Sequence, residues 1–492
     1  MAATDTSAEQ SVLGAVPKQL LIGGKWVDSS SGKVLAVEDP ATGETLTEIA
    51  DATVDDAKAA LAAADEAFGT FRDVAPRERA DILRAVYEAM VARADELALL
   101  MTMEMGKPVA ESKAEVTYAA AFLRWYSEEA VRINGRFTTH EGGTGRVLTM
   151  KQPIGPCLFI TPWNFPLAMG TRKIGPAVAA GCTSVVKPAK QTPLSMLMLA
   201  KLFEEAGLPG GVLNVVTASS SGSIMEPLIK DPRLRKLSFT GSTEVGRTLI
   251  AQSADQILKV SMELGGNAPF LVFEDADLDA AVEGALIAKM RNGGEACTAA
   301  NRFHVHESVA AEFAEKLAQR IGQFKVGRGT EDDVKMGPLI DDAQRSKVAE
   351  LVDDAVAKGA KVLTGGSTVD GPGYFYAPTV LSDIDPGAEL LREEIFGPVA
   401  PVIAFSSDDE AIAAANNTEY GLVAYVFTKD LARAFKVIER LDTGMIGLNQ
   451  GLVSNAGAPF GGVKQSGFGR EGGPEGIEEY LETKYVAMNV GA

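Results

Sequence analysis

The chain has 492 residues, of which 46% are hydrophobic and 23% are charged, and its formal net charge is −19 at pH 7. This length predicts two or three domains, each large enough to bury its own core. The acidic balance argues against a nucleic acid or an anionic membrane as a partner, because both bind clustered cations.

The N-terminal stretch and the cysteine count indicate the cellular compartment of the protein. The stretch "MAATDTSAEQ" is polar and acidic and lacks the plan of a signal or transit peptide. No apolar run in the sequence approaches the roughly 18 residues that a membrane span needs. Three cysteines are an odd number in a large chain, which indicates thiols kept reduced. We therefore expect a cytoplasmic protein without a membrane segment.

The first hundred residues predict two short strand regions, "QLLIGGKWV" and "VLAVEDP", followed by alanine-rich helices. In "TVDDAKAALAAADEAF" the apolar residues recur at intervals of three and four, which is the period of one helical face. Thr53 and Asp56 have the spacing of a capping box. The sequence therefore predicts a helix that begins just after Thr53.

Between about residues 155 and 262, strand-like and helical segments alternate. The strand-like segments are "CLFIT", "TSVVK", "VLNVVT", "KLSFT" and "KVSME". Such alternation predicts a parallel, doubly wound α/β sheet whose ligands lie at the carboxyl ends of the strands. A second α/β pattern continues to about residue 465, and the segments "GGVKQSGFGREGG" and "EEYLETKYVAMNV" are typical of a separate terminal element.

Two glycine-rich segments have the spacing of phosphate-binding loops. "GFGREG" matches G-x-G-x-x-G but follows no clear strand, so it is a weak candidate. "GSTEVGRT" follows a predicted strand and opens a predicted helix, but Arg247 stands where a triphosphate loop needs lysine. A pyrophosphate at this helix N-terminus is the favoured interpretation.

Lysines and an asparagine follow two of the predicted strands. In "TSVVKPAK", Lys187 and Lys190 favour the 2′-phosphate of NADP, while solvated surface lysines are an equal alternative. In "TPWNFP", Asn164 lies between prolines and aromatic residues, a setting that suits a donor aimed at a developing oxyanion. A structural turn asparagine is the alternative there.

Cys297, in "NGGEACTAANRF", is the candidate nucleophile. A thiol attacks only as the thiolate, so it needs a partner that lowers its pKa or removes its proton. His304 and His306 belong to an alternating, strand-like run, which favours ordinary strand residues. Glu263, at the end of "KVSME", is instead the candidate general base, because apolar neighbours raise the pKa of a carboxylate.

The motifs "TPWNFP", "VVKPA", "SFTGSTEVG", "MELGG", "EEIFGPV" and "PFGGVKQSGFGREG", together with the Cys297 segment, occur in an order and spacing that resemble the aldehyde dehydrogenase superfamily. The resemblance covers the chain after about residue 18. It implies an α/β fold with a Rossmann-type parallel-sheet cofactor domain (1–130 and 154–265), a second α/β catalytic domain (266–465) and a small β oligomerisation element (131–153 and 466–492). It also implies a homodimer or homotetramer.

The resemblance implies a role for each motif residue. Cys297 would be the nucleophile, Asn164 with the Cys297 backbone N–H the oxyanion hole, and Glu263 the base. Three residues would contact a substrate carboxylate: Arg172, Arg291 and Ser454. The cofactor would be bound by Thr161, Pro162, Trp163, Lys187, Ala189, Lys190, Gly241, Ser242, Gly246, Leu264, Glu394 and Phe396.

The implied activity is the NAD(P)-dependent oxidation of succinate semialdehyde to succinate, through a cysteine thiohemiacetal and a thioester. Lys190 stands where many NAD-using relatives carry glutamate, so NADP is expected to be preferred, with NAD possible and no metal. Glutarate semialdehyde or another ω-carboxy aldehyde is the alternative substrate. A cofactor-free cysteine hydrolase or acyltransferase is the alternative from another class, since it needs the same thiolate, donor and carboxylate.

Overall fold

The computed structural model describes residues 6–489. The helices of this part of the chain are α1 (Thr6–Ala15), α2 (Val54–Phe71), α3 (Pro76–Ala92), α4 (Ala94–Met105), α5 (Val109–Glu129), α6 (Ala168–Ala180), α7 (Leu194–Glu205), α8 (Ser221–Ile229), α9 (Thr243–Ser253), α10 (Leu278–Met290), α11 (Glu307–Ile321), α12 (Asp342–Ala357), α13 (Asp408–Asn416), α14 (Leu431–Arg440) and α15 (Gly473–Glu478).

The strands are β1 (Leu20–Ile22), β2 (Lys25–Val27), β3 (Val34–Asp39), β4 (Glu44–Ala50), β5 (Arg136–Thr139), β6 (Gly145–Pro153), β7 (Cys157–Ile160), β8 (Ser184–Lys187), β9 (Leu213–Val215), β10 (Lys236–Thr240), β11 (Lys259–Glu263), β12 (Ala268–Val272), β13 (Ala300–His306), β14 (Lys361–Thr364), β15 (Thr379–Ser382), β16 (Val399–Phe405), β17 (Val423–Phe427), β18 (Met445–Leu448), β19 (Gly467–Phe468) and β20 (Leu481–Asn489).

The first sheet has the strand order β19-β11-β10-β7-β8-β9-β1-β2. Strands β11, β10, β7, β8 and β9 run parallel to one another. On one side of them β19 pairs antiparallel with β11, and on the other side β1 pairs antiparallel with β9. The five predicted strands between residues 155 and 262 and their parallel arrangement are confirmed. Because parallel strands end at the same edge, the residues after β7, β8, β10 and β11 lie near one another.

Local sequence explains where the helices around this sheet begin. Thr53 caps α2 through a capping box with Asp56, as predicted. Ser242 caps α9 and accepts a hydrogen bond from the Val245 N–H, so the "GSTEVGRT" segment does open a helix directly after β10. The apolar stripe of α2, with Ala57, Leu61 and Ala64 buried, packs under the sheet.

The second sheet has the order β14-β15-β16-β13-β12-β17-β18 and is parallel except for β14. A third sheet joins β20, β6 and β5, with β20 paired along the whole of β6, from Leu481 opposite Pro153 to Asn489 opposite Gly145. These sheets confirm the predicted α/β fold with a small β element. None of the helices in residues 6–489 is both long and apolar enough to cross a bilayer.

Strand β19 bears on the proposed domain limits. It belongs to the segment from residue 466 that the sequence grouped with the terminal β element, yet it pairs with β11 of the first sheet. Gly467 permits this contact, because its φ is +110° and a Cβ there would lie 1.8 Å from the Met262 carbonyl oxygen. The domain limits stay a proposal, and this pairing favours placing the start of the C-terminal element nearer β20.

Candidate active site

Four site residues follow the parallel strands of the first sheet at one edge. Thr161 follows β7, Lys187 ends β8, Ser242 follows β10 and Glu263 ends β11. The Thr161 N–H donates to the Lys187 carbonyl oxygen at 3.2 Å, and the Gly241 N–H donates to the Glu263 carbonyl oxygen at 3.1 Å. The sheet ladder therefore continues into the turns that carry the candidate residues.

Asn164 is buried, with 4% of its surface exposed. Its Nδ2 donates to the Glu295 carbonyl oxygen at 3.0 Å, which uses one of two amide hydrogens and leaves the second for a ligand. Its backbone oxygen accepts from Lys107 Nζ at 2.8 Å and from Asn292 Nδ2 at 3.1 Å. Asn164 is thus held against the segment that carries Cys297, because its partner Glu295 lies two residues before that cysteine.

Helix α5 and Lys107, two residues before it, support this arrangement. Lys107 pairs with Glu115 at 2.5 Å in a fully buried contact, and Glu115 Oε1 accepts the N–H groups of Leu167 and Ala168 at the start of α6. Glu111 accepts the Asn292 N–H at 2.6 Å. Sequence reasoning missed these supports, because their partners lie far apart along the chain.

Asn292 is a missed residue for which the sequence carried a signal. It follows α10 in the left-handed conformation, with φ of 57°, which asparagine tolerates better than most residues. The adjacent Gly293 and Gly294 also have positive φ. The "RNGG" segment therefore makes the turn that separates α10 from Cys297, and Asn292 Nδ2 bridges Asn164 and Glu295 across it.

Cys297 lies beyond this turn and is partly exposed, whereas Cys157 and Cys182 are buried. Burial raises the pKa of the Cys297 thiol to about 12; the charge of Arg172 lowers it, while those of Glu394 and Glu263 raise it. The thiol is therefore protonated near neutral pH and needs a base. Gly266 packs against the Cys297 backbone, since a Cβ there would lie 2.5 Å from the Cys297 carbonyl oxygen.

Glu263 is 2% exposed, and neither carboxylate oxygen has a hydrogen-bond partner among residues 6–489. Burial raises its pKa well above the usual range and the charge of Glu471 adds to this, while Arg172 and Lys173 oppose it. A carboxylate with a raised pKa and free oxygens has the properties of a general base. His304 instead lies on β13, and burial lowers its pKa to about 3.

The candidate cofactor residues surround the edge of the first sheet. Lys187 is 3% exposed, and burial together with the charge of Lys190 lowers its pKa to about 8. Lys190 is exposed at the end of the same turn, after Ala189. Two cations beside a capped helix N-terminus form a donor set that suits a phosphorylated ligand.

Two glycines allow close packing at this edge. A Cβ at Gly246 would lie 2.5 Å from Leu264 Cδ2, and one at Gly241 would lie 2.4 Å from the Phe239 ring. Helix α9 therefore approaches the end of β11 closely. Such an approach of backbone to strand end is what a bound pyrophosphate requires.

Three further cofactor candidates lie at the side of Cys297. Trp163, which follows Pro162, meets the Phe396 ring edge to face at 5.3 Å. Glu394 Oε1 accepts the Gly266 N–H at 2.9 Å, and burial raises the Glu394 pKa to about 7. Glu394 and Phe396 come from the second half of the chain and face the strand ends of the first sheet. This arrangement suits a dinucleotide, whose two ends would contact the two groups of residues.

The candidate substrate residues differ in their surroundings. Arg172 on α6 is 1% exposed; its Nε pairs with Glu471, its guanidinium lies 4.0 Å from the Phe460 ring centre, and its Nη2 has no partner among residues 6–489. Arg291 Nη2 lies 3.4 Å from Thr298 Oγ1. Ser454 is partly exposed in the loop after β18.

Glu471 was not identified from the sequence as a site residue. It belongs to "GFGREG", the segment that the sequence offered as a weak phosphate loop. Its carboxylate is buried between Arg172 and Lys173, and Lys173 Nζ also donates to Ser238 Oγ at 2.9 Å. The glycines allow this segment to lie against the first sheet, and the charged residue among them neutralises two buried cations.

Comparison with known proteins identifies relatives of this chain. The family model described as "Aldehyde dehydrogenase family" matches residues 26–486. A succinate-semialdehyde dehydrogenase of Paenarthrobacter nicotinovorans is 57% identical over 443 residues, which cover 90% of this chain and 98% of that protein. A glutarate-semialdehyde dehydrogenase of Pseudomonas aeruginosa is 50% identical over 471 residues, covering 96% and 97%.

A solved structure described as an E. coli NADP-dependent enzyme superposes with a TM-score of 0.96 at 49% identity, covering 98% of this chain and 99% of that one. The match therefore extends over both large sheets and the terminal β element. On the ordered motifs, the fold and these matches, the chain belongs to the aldehyde dehydrogenase family, whose members use NAD or NADP.

Proposed function

We propose that this enzyme oxidises succinate semialdehyde to succinate and prefers NADP. The observation that carries the substrate assignment is the pair of arginines near the thiol: the charges of Arg172 and Arg291 both act on the Cys297 pKa, and Arg172 Nη2 is buried without a partner in the described part of the chain. Guanidinium groups suit bidentate carboxylate binding. An aldehyde on Cys297 with a carboxylate at its other end would satisfy that free donor.

In the first step Glu263, through a water molecule, would take the proton of the Cys297 thiol and pass it to solvent. The thiolate attacks the aldehyde carbon, an S–C bond forms, and the carbonyl oxygen takes the electron pair. Asn164 Nδ2 and the Cys297 backbone N–H would donate to that oxyanion. When the C=O bond re-forms, hydride leaves the carbon and the thioester remains; a nicotinamide held by Glu394 and Phe396 would supply the hydride acceptor. The free amide hydrogen of Asn164 supports its role, because the other one is already used by Glu295.

In the second step Glu263 takes a proton from water, and the hydroxide attacks the thioester carbon. The S–C bond breaks, Cys297 leaves as thiolate and the acid is released. Neither oxygen of Glu263 has a hydrogen-bond partner within residues 6–489, so both are open to that proton. This carboxylate would take the part that a histidine plays in other cysteine enzymes, which fits the position of His304 in a strand of the second sheet.

Glu263→Gln is expected to slow hydrolysis of the thioester more than its formation, because glutamine cannot accept the proton. Mixing the variant with cofactor and aldehyde should give a burst of about one reduced cofactor per site, followed by slow turnover. Stopped-flow absorbance at 340 nm and intact-protein mass spectrometry measure the burst and the acyl adduct. Glu482→Gln, an exposed position on β20, is the control. Wild-type turnover without an adduct would remove Glu263 from this role.

Glutarate semialdehyde is the second candidate substrate, and the Pseudomonas aeruginosa relative favours it. The two acids differ by one methylene, which is worth about 1–3 kcal/mol of discrimination in a pocket. A cofactor-free hydrolase or acyltransferase would need neither a nucleotide sheet nor Lys187. Reduction of NAD or NADP by the purified protein separates that class from a dehydrogenase.

The preference for NADP rests on Lys190. It is exposed beside the buried Lys187, where an adenosine ribose of the cofactor would lie, and a 2′-phosphate gains from a cation there while a glutamate would repel it. The NADP-dependent enzyme of the matching crystal structure supports this assignment. Dual use of NAD stays part of the proposal.

Lys190→Glu is expected to reverse the preference, with kcat/KM for NADP falling by about tenfold or more because a charge-assisted contact to the phosphate becomes a repulsion. Initial rates at 340 nm with succinate semialdehyde, for both cofactors and both proteins, measure it. Lys429→Glu, at an exposed position beyond β17, is the control. Activity with NAD alone in the wild type would discard the phosphate pocket, and no reduction with either cofactor would discard the proposed reaction.

We also propose a homodimer or homotetramer in the cytoplasm, with residues 131–153 and 466–492 at the interface, 1–130 and 154–265 binding the cofactor and 266–465 carrying Cys297. The three-stranded sheet supports the interface, because large apolar side chains on it are between 48% and 63% exposed: Phe137 and Met150 on one face and Tyr485 on the other. Exposed apolar side chains on a small sheet are typical of a protein contact.

A further inference from the structure

Helix α5 presents two polar aromatic side chains that the reaction described above does not use. Tyr118 and Trp125 are seven residues apart, which places them on the same face of the helix. Both side chains are partly exposed, yet Tyr118 Oη and Trp125 Nε1 are buried and have no hydrogen-bond partner among residues 6–489. Parts of both rings are therefore exposed to solvent, while Tyr118 Oη and Trp125 Nε1 are buried.

The surroundings of Tyr118 are those of the candidate carboxylate pocket. Burial raises the pKa of the Tyr118 hydroxyl, whereas the charges of Arg172 and Arg291 and the adjacent Ser454 side chain lower it. The ring is fixed by Phe122, which it meets edge to face at 4.9 Å. Tyr118 is thus within electrostatic range of Arg172 and Arg291 and adjacent to Ser454, the residues to which the carboxylate contact was assigned.

These polar groups lack an acceptor. Tyr118 Oη and Arg172 Nη2 are both buried and have no partner among residues 6–489, and a guanidinium can only donate. A buried donor without a partner destabilises a protein, so a pair of unpartnered polar groups near one site is a signature of a missing ligand. A carboxylate offers about four acceptor sites, enough for both arginines and a hydroxyl together.

We propose that the Tyr118 hydroxyl donates a hydrogen bond to the remote carboxylate of the substrate and helps the enzyme to select semialdehyde acids over uncharged aldehydes. This inference rests on the proposed function. Tyr118 is the favoured residue of the pair on α5, because Trp125 lies about 10 Å further along the helix and packs beside Gly457. A four-carbon acid attached to Cys297 is too short to reach both.

Tyr118→Phe tests the proposal, because it removes the hydroxyl and keeps the ring. KM for succinate semialdehyde is expected to rise by about 10-fold to 100-fold, the effect of a lost hydrogen bond to a charged group, with little change in kcat. Butanal, which has the same carbon chain without the carboxylate, should keep its wild-type KM. The inhibition constant of succinate should rise together with KM for the semialdehyde, because both depend on the same contact.

Tyr374→Phe is the matched control. The Tyr374 hydroxyl contacts Glu38 on β3, away from the pocket, so this variant should keep wild-type constants for both aldehydes. Equal losses for succinate semialdehyde and butanal in Tyr118→Phe would indicate a packing role and overturn the proposal, and so would unchanged constants for both. A wild-type enzyme that does not prefer succinate semialdehyde to butanal would instead overturn the proposed function itself.

Discussion

Replacing Asn164 with alanine is expected to lower kcat by about 10²–10³-fold, with a small change in KM. The reason is that the second amide hydrogen of Asn164 would stabilise charge that is present in the transition state and absent in the bound aldehyde. The side chain is already oriented by Glu295, and its backbone by Lys107 and Asn292, so no reorganisation is needed when the charge develops.

Steady-state rates with succinate semialdehyde measure this effect, and circular dichroism with a thermal melt establishes that the variant is folded. Asn417→Ala, an exposed asparagine after α13, is the control and should keep the wild-type kcat. A kcat within threefold of wild type in Asn164→Ala would show that the oxyanion is stabilised elsewhere. A large rise in KM at constant kcat would instead indicate that Asn164 binds the aldehyde before reaction.

Replacing Glu471 with glutamine is expected to lower the free energy of unfolding by about 3–5 kcal/mol, since it leaves two buried cations without their counter-charge. Arg172 and Lys173 both pair with this carboxylate, and all three side chains are at most 3% exposed. The two cations keep the pKa of Glu471 below its usual value despite burial, which raises it. The Glu471 carboxylate is therefore charged across the neutral range, and replacing it removes the whole counter-charge of Arg172 and Lys173.

Urea titration followed by tryptophan fluorescence measures the change. Glu478→Gln is the control, because Glu478 is 53% exposed and its contact with Lys151 is a surface pair worth at most about 1 kcal/mol. Adding Lys173→Met to Glu471→Gln should restore part of the stability, because it removes one of the unpaired cations. A Glu471→Gln variant whose free energy of unfolding is within 1 kcal/mol of the wild-type value would contradict the view that Glu471 compensates the buried charges of Arg172 and Lys173.

The ion pair between Arg172 and Glu471 affects how substrate binding should be tested. Arg172→Ala would remove a proposed carboxylate contact and would also leave Glu471 with one cation fewer, so its effects on KM and on stability are mixed. Across residues 6–489, Arg291 has no carboxylate partner of this kind; it contacts Thr298 and the Phe165 ring. Tyr118→Phe changes no charge and is therefore the cleaner variant for the pocket.

The sequence by itself determined the parts of this protein that follow from local patterns. Apolar runs bounded by turns identified β7, β8, β9, β10 and β11, and the parallel arrangement then placed Lys187, Ser242 and Glu263 at one edge. The period of two or 3.6 residues is a local property of strands and helices, so it can be recognised without the fold. The ordered motifs likewise identified the family.

The tertiary structure alone decided which of these residues are paired, supported or free. Arg172 and Glu471 are 299 residues apart, and Lys107 reaches Asn164 from before α5. Tyr118 stands in a helix whose sequence gives no sign that its hydroxyl is buried beside two guanidinium groups. Contacts of this kind depend on how helices pack on the sheet, and a periodic pattern specifies which face is buried without specifying what it meets.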